Sequence, residues 1–456
     1  VTATVVFQML LAVLAAVALY TFIGFIPGTD ETSVLAPVTL AVVLAGVQPM
    51  VVLAFFIAAI VTLNLMNAIP TALVGLPGGV MSAPMMEHSL LLRAKGLAST
   101  TIRKMAVGSA IGTLVSIPIS FGIAVAIAPL ASTFKSQAAL LLTVGAVVLA
   151  LLGRNRLLAL IAIVPLSLLF QSLPMLYKSI GAIPQEKTIS ISFFLGITVG
   201  PMLVSLLSLL NSSQRAALPR MGRTQVALAR SGFERQSLLP NRLITRTEGW
   251  WSAAMAAAST PLFFLSPVGL TFLLGEATAG SRKDPVARSQ RAVTVMSALT
   301  HSTYLVGVII PLVALGIPLS GVSVGPASPL FIAPPVYSVG HNLHDLLTMP
   351  QFVVAVCFGA LVALVLTYII AVRWSSQITH FVMTKVPHEA VLALFIAFIL
   401  LLAYIDAGFL NIFGVLLIGI VCGTLNKMGV NYGVQFMTLY ASAWIVPQLG
   451  HLLAVH

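Results

Sequence analysis

Apolar runs of roughly twenty residues, the length a helix needs to cross a bilayer, follow one another along almost the whole of this chain. The runs lack the two-residue alternation of a barrel strand. Helices are therefore the spanning element, because only a helix satisfies the backbone of a single segment within hydrocarbon. Charge is scarce: 7% of the 456 residues are charged and 59% are hydrophobic. A soluble domain carries about 25% charged residues, so this chain cannot cover a water-facing surface of its size. The net charge of +12 does not mark a nucleic-acid binder, because the basic residues gather in loops between apolar runs, where the positive-inside rule puts them. Cys357 and Cys422 lie inside apolar runs and read as buried free thiols, with no spacing that suggests a disulfide or a metal site.

The sequence predicts an all-α polytopic membrane protein with about 10–12 transmembrane helices plus re-entrant or broken ones. Spans are expected at 5–26, 36–66 (broken near Gln48-Pro49), 105–130, 137–152, 157–172, 189–210, 250–274, 292–318, 351–372, 389–405, 408–426 and 430–452. Val5–Tyr20 has no basic region before it and reads as the first span, not a cleaved signal. The loop 211–249 carries Arg215, Arg220, Arg223, Arg230, Arg235, Arg242 and Arg246 against Glu234 and Glu248, which places it in the cytoplasm as a flexible linker between halves 1–210 and 250–456. Arg282, Lys283, Arg288 and Arg291 are then cytoplasmic too, and a single crossing at 250–274 would put them outside. Pro261 and Pro267 interrupt that stretch, so Trp250–Leu274 is expected to be a re-entrant hairpin.

One motif occurs twice. Ile69-Pro70 is followed by Gly75-Leu76-Pro77, and Ile310-Pro311 by Gly316-Ile317-Pro318, 241 residues apart. The charge pattern makes the chain meet the two motifs in opposite directions, which predicts two inverted-topology repeats. Proline removes a donor and clashes with the preceding turn, and glycine lets the backbone turn or approach a ligand closely. A break inside the bilayer is tolerated only where protein or a wet cavity satisfies it. Two facing breaks make a place for an anion, or for a substrate with a coupling cation. The alternative is that Pro and Gly merely kink packed helices.

The substrate-binding candidates are Asn67, Thr71, Gly75, Pro77, Gly78, Gly79 and Ser82 around the first break, and Thr300, His301, Ser302, Gly316, Pro318 and Ser320 around the second. His301 is an ionisable group in an apolar span, which points to an anionic partner or a coupled proton. A third break, Gly24–Thr32, holds Asp30 and Glu31. With Asn64 and Thr303 they are candidates for ion coupling, against a reading of the two acids as helix caps. Glu87 and His88, after Pro84, read as interfacial.

With these residues in view, the chain resembles the permease (TctA-type large membrane subunit) of the tripartite tricarboxylate transporter family. The resemblance lies in Gly24–Gly28 with Leu35–Leu40, in Ala72–Ala98 with Leu76-Pro77-Gly78, in Ile310–Pro318, and in Gly325–Phe331, covering about residues 20–335. Departures are Ser297–Tyr304 in place of an acidic, Asn-rich stretch, Glu87-His88 in place of an Asp-Gly element, and Leu319 where a Gly is usual. The resemblance implies import of organic carboxylates across the inner membrane with a small membrane subunit and an extracytoplasmic solute-binding protein, driven by an ion gradient. It implies that Gly75, Pro77, Gly78, Gly316, Pro318 and Ser320 frame the substrate. The expected function is an ion-coupled secondary transporter of a small organic anion, working by alternating access in contact with membrane lipids, with Na+ or H+ as coupling ion and no cofactor. The alternative is a translocase of a lipid-linked phosphate or sugar, whose headgroup would suit the basic loops. No HExxH, GxSxG or paired-carboxylate arrangement supports an enzyme.

Overall fold

A computed structural model describes residues 2–26, 31–74, 78–185, 190–208, 210, 243–280, 284–338, 340–386 and 388–454. The Arg-rich stretch 211–242 lies outside the described residues, so the linker is not placed. The first half contains α1 (Ala3–Gly24), α2 (Glu31–Leu44), α3 (Pro49–Leu73), α4 (Met86–Ala94), α5 (Ala98–Ile127), α6 (Ala131–Ser136), α7 (Ala138–Leu152), α8 (Arg156–Ser179) and α9 (Ser190–Ser208). The second contains α10 (Arg246–Ser259), α11 (Pro267–Ala279), α12 (Pro285–Ile310), α13 (Gly321–Val324), α14 (Leu343–Leu346), α15 (Met349–Lys385), α16 (His388–Lys427) and α17 (Tyr432–Ala454). Among the described residues the only β pairing is two isolated bridges, Ala333 with Tyr337 and Ser338 with His341.

Among the described residues seven helices are long and apolar enough to cross a membrane, and α2, α7 and α9 are shorter apolar helices. The chain is a multi-pass membrane protein. The break expected at Gln48-Pro49 falls between α2 and α3, where Pro49 opens the helix. The two spans expected at 389–405 and 408–426 are two helices that meet at a kink, where Ala407 and Gly408 are non-helical. The stretch 250–274 is no single span. It divides into α10 and α11 around a turn at 260–266, with Ser266 capping α11 at Gly269 N–H.

Burial separates a centre from a periphery. The most apolar windows of α3 and of Pro285–Leu315 are 94% and 100% buried, whereas the other five long spans are 22–39% buried. A helix that is apolar all round and buried all round is a central one. Small residues let these helices approach closely. A Cβ at Gly108 or Gly112 of α5 would collide with the carbonyls of Thr294 and Ala298 in α12. Gly359 of α15 sits equally tightly on Ala54 of α3, and Gly200 of α9 on Gly423 of α16. Interhelical hydrogen bonds follow the same seams: Ser109 Oγ to Ser297 Oγ at 2.8 Å and Thr62 to Thr367 at 3.2 Å. Bonds of this kind contribute about 0.6 kcal/mol each, the unfolded-in-membrane state finding partners of its own.

These contacts fix directions. Gly108 and Gly112 meet successive turns of α12, so α5 and α12 run parallel; Ala54 with Gly359 and Thr62 with Thr367 make α3 and α15 parallel as well. The end of α3 lies beside the start of α5, since Leu73, Ser99 and Arg103 border one recess and Arg93 Nη1 donates to Val74 O at 2.6 Å. The two central helices therefore run antiparallel. Several close packings have a counterpart in the other half, among them α3 on α15 and α12 on α5, α1 on α3 and α15 and α10 on α12 and α5, and α9 on α16 and α17 on α7 and α8; the contact of α3 with α5 has no such counterpart between α12 and α15.

Candidate functional site

Both central helices end close to the expected interruptions, and the described turns that follow are matched in their hydrogen bonds. Gly78 lies against the backbone of Asn67, where a Cβ would come within 2.3 Å of Asn67 O. At the turn, Gly79 N–H donates to Ser82 Oγ (3.3 Å) and Ser82 Oγ donates to Gly79 O (2.7 Å). In the second half Ser320 N–H donates to Ser323 Oγ (2.8 Å) and Ser323 Oγ donates to Ser320 O (3.0 Å). Gly79 and Ser320, like Ser82 and Ser323, stand the same 241 residues apart as the motif. Ser320 Oγ donates back to Gly307 O at 2.5 Å, tying the turn to α12 as Gly78 ties its turn to α3.

A cavity of about 270 Å³ lies between the two turns. Glu31, Thr32, Val80 and Met81 line it from the first half, and Tyr304, Gly321, Val322, Gly325 and Pro326 from the second. The tip of the α10–α11 hairpin, Phe264–Val268, closes one side, and Asn426, Asn431 and Tyr432 another. The hairpin's two ends lie on one side of the molecule. Lys104 at the start of α5 donates to Glu248 in α10 at 2.7 and 2.8 Å, and His88 in α4 meets Glu276 in α11 at 2.6 Å, beside Arg288 at the start of α12. Burial alone would raise the Glu276 carboxyl, but hydrogen bonds and charge from His88 and Arg288 hold it below the usual carboxylate range.

Glu31 is the one acidic residue among the cavity's described lining residues, and no Lys, Arg or His is among them. Glu31 is 2% exposed. Its Oε1 accepts from Asn67 Nδ2 (3.0 Å) and from Met81 N–H (3.2 Å). A Cβ at Gly79 would lie 2.4 Å from both Asn67 Nδ2 and Glu31 Oε1, so a larger residue there would displace one or both of these side chains. Asn67 Oδ1 and both amide atoms of Asn64 are buried without a hydrogen-bond partner among the described residues. Three residues apart, Asn64 and Asn67 share a face of α3, and Thr71 is buried one turn further on.

The structure thus brings Asn67, Gly78, Gly79, Ser82 and Glu31 together. Gly75, Pro77 and Asp30 lie outside the described residues. In the second half Gly316 takes the left-handed conformation (φ 66°) that glycine tolerates, Pro318 lies in the irregular stretch after it, and Ser320 forms the turn. The hydroxyl cluster of α12 stays within the helix packing. Thr300 and Thr303 donate to Met296 O and Leu299 O, and Ser302 reaches Ser259 of α10 at 3.0 Å. The His301 ring lies between Ser297 O (3.1 Å) and Val61 O (3.2 Å), joining the two central helices. None of these four residues lines the cavity; the neighbouring Tyr304 does.

Two residues that the sequence did not single out complete the second break. Asn342 Nδ2 donates to Gly316 O at 2.9 Å, and His344 Nδ1 lies 3.1 Å from both Leu312 O and Val313 O. They satisfy carbonyls released where the helix ends in a π turn. Only their polarity in a loop near a broken helix could have pointed to them.

Comparison with known proteins completes the description. No curated protein and no solved structure matches the chain. The model of the tripartite tricarboxylate transporter TctA family, a transporter and not an enzyme family, matches residues 10–434. With a match that covers most of its length, the chain belongs to the TctA family of tricarboxylate transporters, the large membrane subunit of a tripartite system.

Proposed function

We propose that this protein is an ion-coupled carrier of a small organic carboxylate in the inner membrane, and that the cavity between the two turns holds the cargo. Alternating access then comes from movement of one inverted repeat against the other. Two observations support the repeats: the matched Gly79–Ser82 and Ser320–Ser323 turns, and several helix packings that have a counterpart in the other half. The halves divide at the Arg-rich linker. By family, a small membrane subunit and an extracytoplasmic solute-binding protein are the partners.

The observation that carries the coupling is Glu31. At 5 Å and an effective dielectric of 20, a cargo carboxylate and the Glu31 carboxylate would repel by about 3 kcal/mol. No basic side chain among the described lining residues offsets this. A proton on Glu31, or a sodium ion held by its carboxylate and the unpartnered amide oxygens of Asn64 and Asn67, removes the repulsion. The cation therefore enters with the cargo or before it, and the gradient is built into binding. His301 acts in this reading as the joint between α3 and α12, not as a substrate ligand.

The test is uptake of a panel of di- and tricarboxylates into proteoliposomes under a sodium or a proton gradient. Wild type takes up one carboxylate class under one gradient. Glu31→Gln keeps the shape and loses the charge, so its uptake no longer responds to that gradient, a change of about a hundredfold in gradient-driven rate. Full gradient dependence in Glu31→Gln, with cargo still carried, ends this reading.

A further inference from the structure

A second polar recess lies away from the cavity, on the side of the molecule where α3 ends and α5 and α12 begin. It is bordered by Arg103 and Ser99 of α5 and by Arg373, Ser375 and Ser376 of α15, with Leu73 as part of its floor. Its volume is about 20 Å³, room for a single small polar group and not for a whole metabolite.

Each feature of its wall favours one chemistry. Two arginines line it from helices of different halves, and no acidic residue is among its described lining residues. Guanidinium forks match the paired oxygens of a phosphate. Three serines, residue types that can donate, line it as well. Ser99 sits in the first turn of a 30-residue helix whose N-cap, Leu97, supplies no capping side chain, so that turn's N–H groups and the helix dipole add to the positive field. Arg103 is 8% exposed, whereas the Arg373 side chain is exposed, so the recess has a buried end and an open end. Trp374, next to Arg373, is 45% exposed on the outer surface of α15. Exposed tryptophans of membrane helices settle at headgroup level. The cations nearby (Arg93, Lys104, Arg288) give this side the charge bias of a cytoplasmic face.

We propose that this recess is a binding site for a phosphate monoester or diester, with one phosphate oxygen in the recess between Arg103 and Arg373 and the rest of the molecule outside. The two sources of that group are the headgroup of an anionic phospholipid of the inner leaflet and a free phosphate in solution. Ligand in this site would brace α5 against α15, the two long helices that follow the breaks.

The test uses the purified full chain with two probes. In native mass spectrometry, phosphatidylglycerol is titrated against wild type and Arg373→Gln, a change at an exposed side chain that leaves the packing intact. The expected result is about fivefold weaker retention in Arg373→Gln, and a similar loss in Arg103→Gln where that variant folds. Phosphatidylcholine, whose phosphate is masked by its own cation, is the control and shows no dependence on either arginine. In parallel, inorganic phosphate is titrated against thermal unfolding. Arginine-dependent stabilisation by phosphate without arginine-dependent lipid retention assigns the site to a free phosphate. Equal binding of both probes by wild type and Arg373→Gln overturns the proposal.

Discussion

The first interruption presents a carboxylate to the cavity, while the second presents backbone, aliphatic groups and the Tyr304 ring. The turn is the same in both, a serine three residues on returning the hydrogen bond of the turn's first N–H. At the first, Glu31 comes in from α2 and takes up Asn67 and the Met81 N–H, leaving amide oxygens of Asn64 and Asn67 unsatisfied. At the second, Asn342 and His344 come in from a loop and satisfy the carbonyls of Gly316, Leu312 and Val313. The duplicated motif supplies two matching bends, and residues from other elements decide what each bend does. One keeps buried amide atoms without a partner among the described residues, and the other is closed by the protein itself. A buried polar group without a partner is costly, and it persists where a ligand can supply one.

The largest effect that can break this comparison is steric. Gly78→Ala drives a Cβ into the Asn67 backbone, whereas Gly321, at the second turn, has nothing within 4 Å of an added Cβ. Gly78→Ala is expected to lose about 3 kcal/mol of stability, the upper end of overpacking costs, and Gly321→Ala to lose almost none. Thermal unfolding of both variants in detergent measures the difference, and equal losses would mean that the two turns are packed alike.

Next in size, Asn342→Ala strands the Gly316 carbonyl and should cost about 1–3 kcal/mol without altering the ion dependence of uptake. If ion dependence shifts, the second break is not closed in the way described. Smaller still, Ser82→Ala and Ser323→Ala each remove the reciprocal turn hydrogen bonds of one hydroxyl, together worth about 1 kcal/mol on the scale of helix N-caps. Near-equal losses sharpen the case for equivalent turns, and a clear inequality breaks it.

The smallest effect is one of pH at the base of the hairpin. Glu276 is held below its ordinary value, so its contribution is fully present above the usual carboxylate range and is lost as pH falls through the depressed folded value. Unfolding temperature followed from neutral to acid pH should show a decline that Glu276→Gln removes. An unchanged acid decline in that variant would assign the effect to other groups.

Much of the architecture was readable before any coordinates. The break at Gln48-Pro49, the division of 250–274 into two short helices and the interruption between 405 and 408 follow from proline, glycine and misplaced charge, which act locally. The site was readable only in part. Asn67, Gly78, Gly79, Ser82 and Glu31 were singled out and do meet. The hydroxyl cluster with His301 drew attention for the same reason, polarity in an apolar run, yet those side chains bond to their own helix or a neighbouring one. Polarity in a span signals that a partner is needed, and the sequence does not say whether that partner is cargo or another helix.

By itself, the sequence determined that the chain spans a membrane as helices, where several of them break, and to which family it belongs. These depend on runs of apolar residues, on local backbone chemistry and on a motif used twice. Only the tertiary structure decided that Glu31 faces Asn67, that Asn342 and His344 close the second break, and that Arg103 and Arg373 share one recess. Each of these joins residues far apart in the chain, and such pairs are set by how closely helices can approach at glycines such as Gly108, Gly112 and Gly359. Helical periodicity fixes which face a side chain occupies, but not the neighbour that this face will meet.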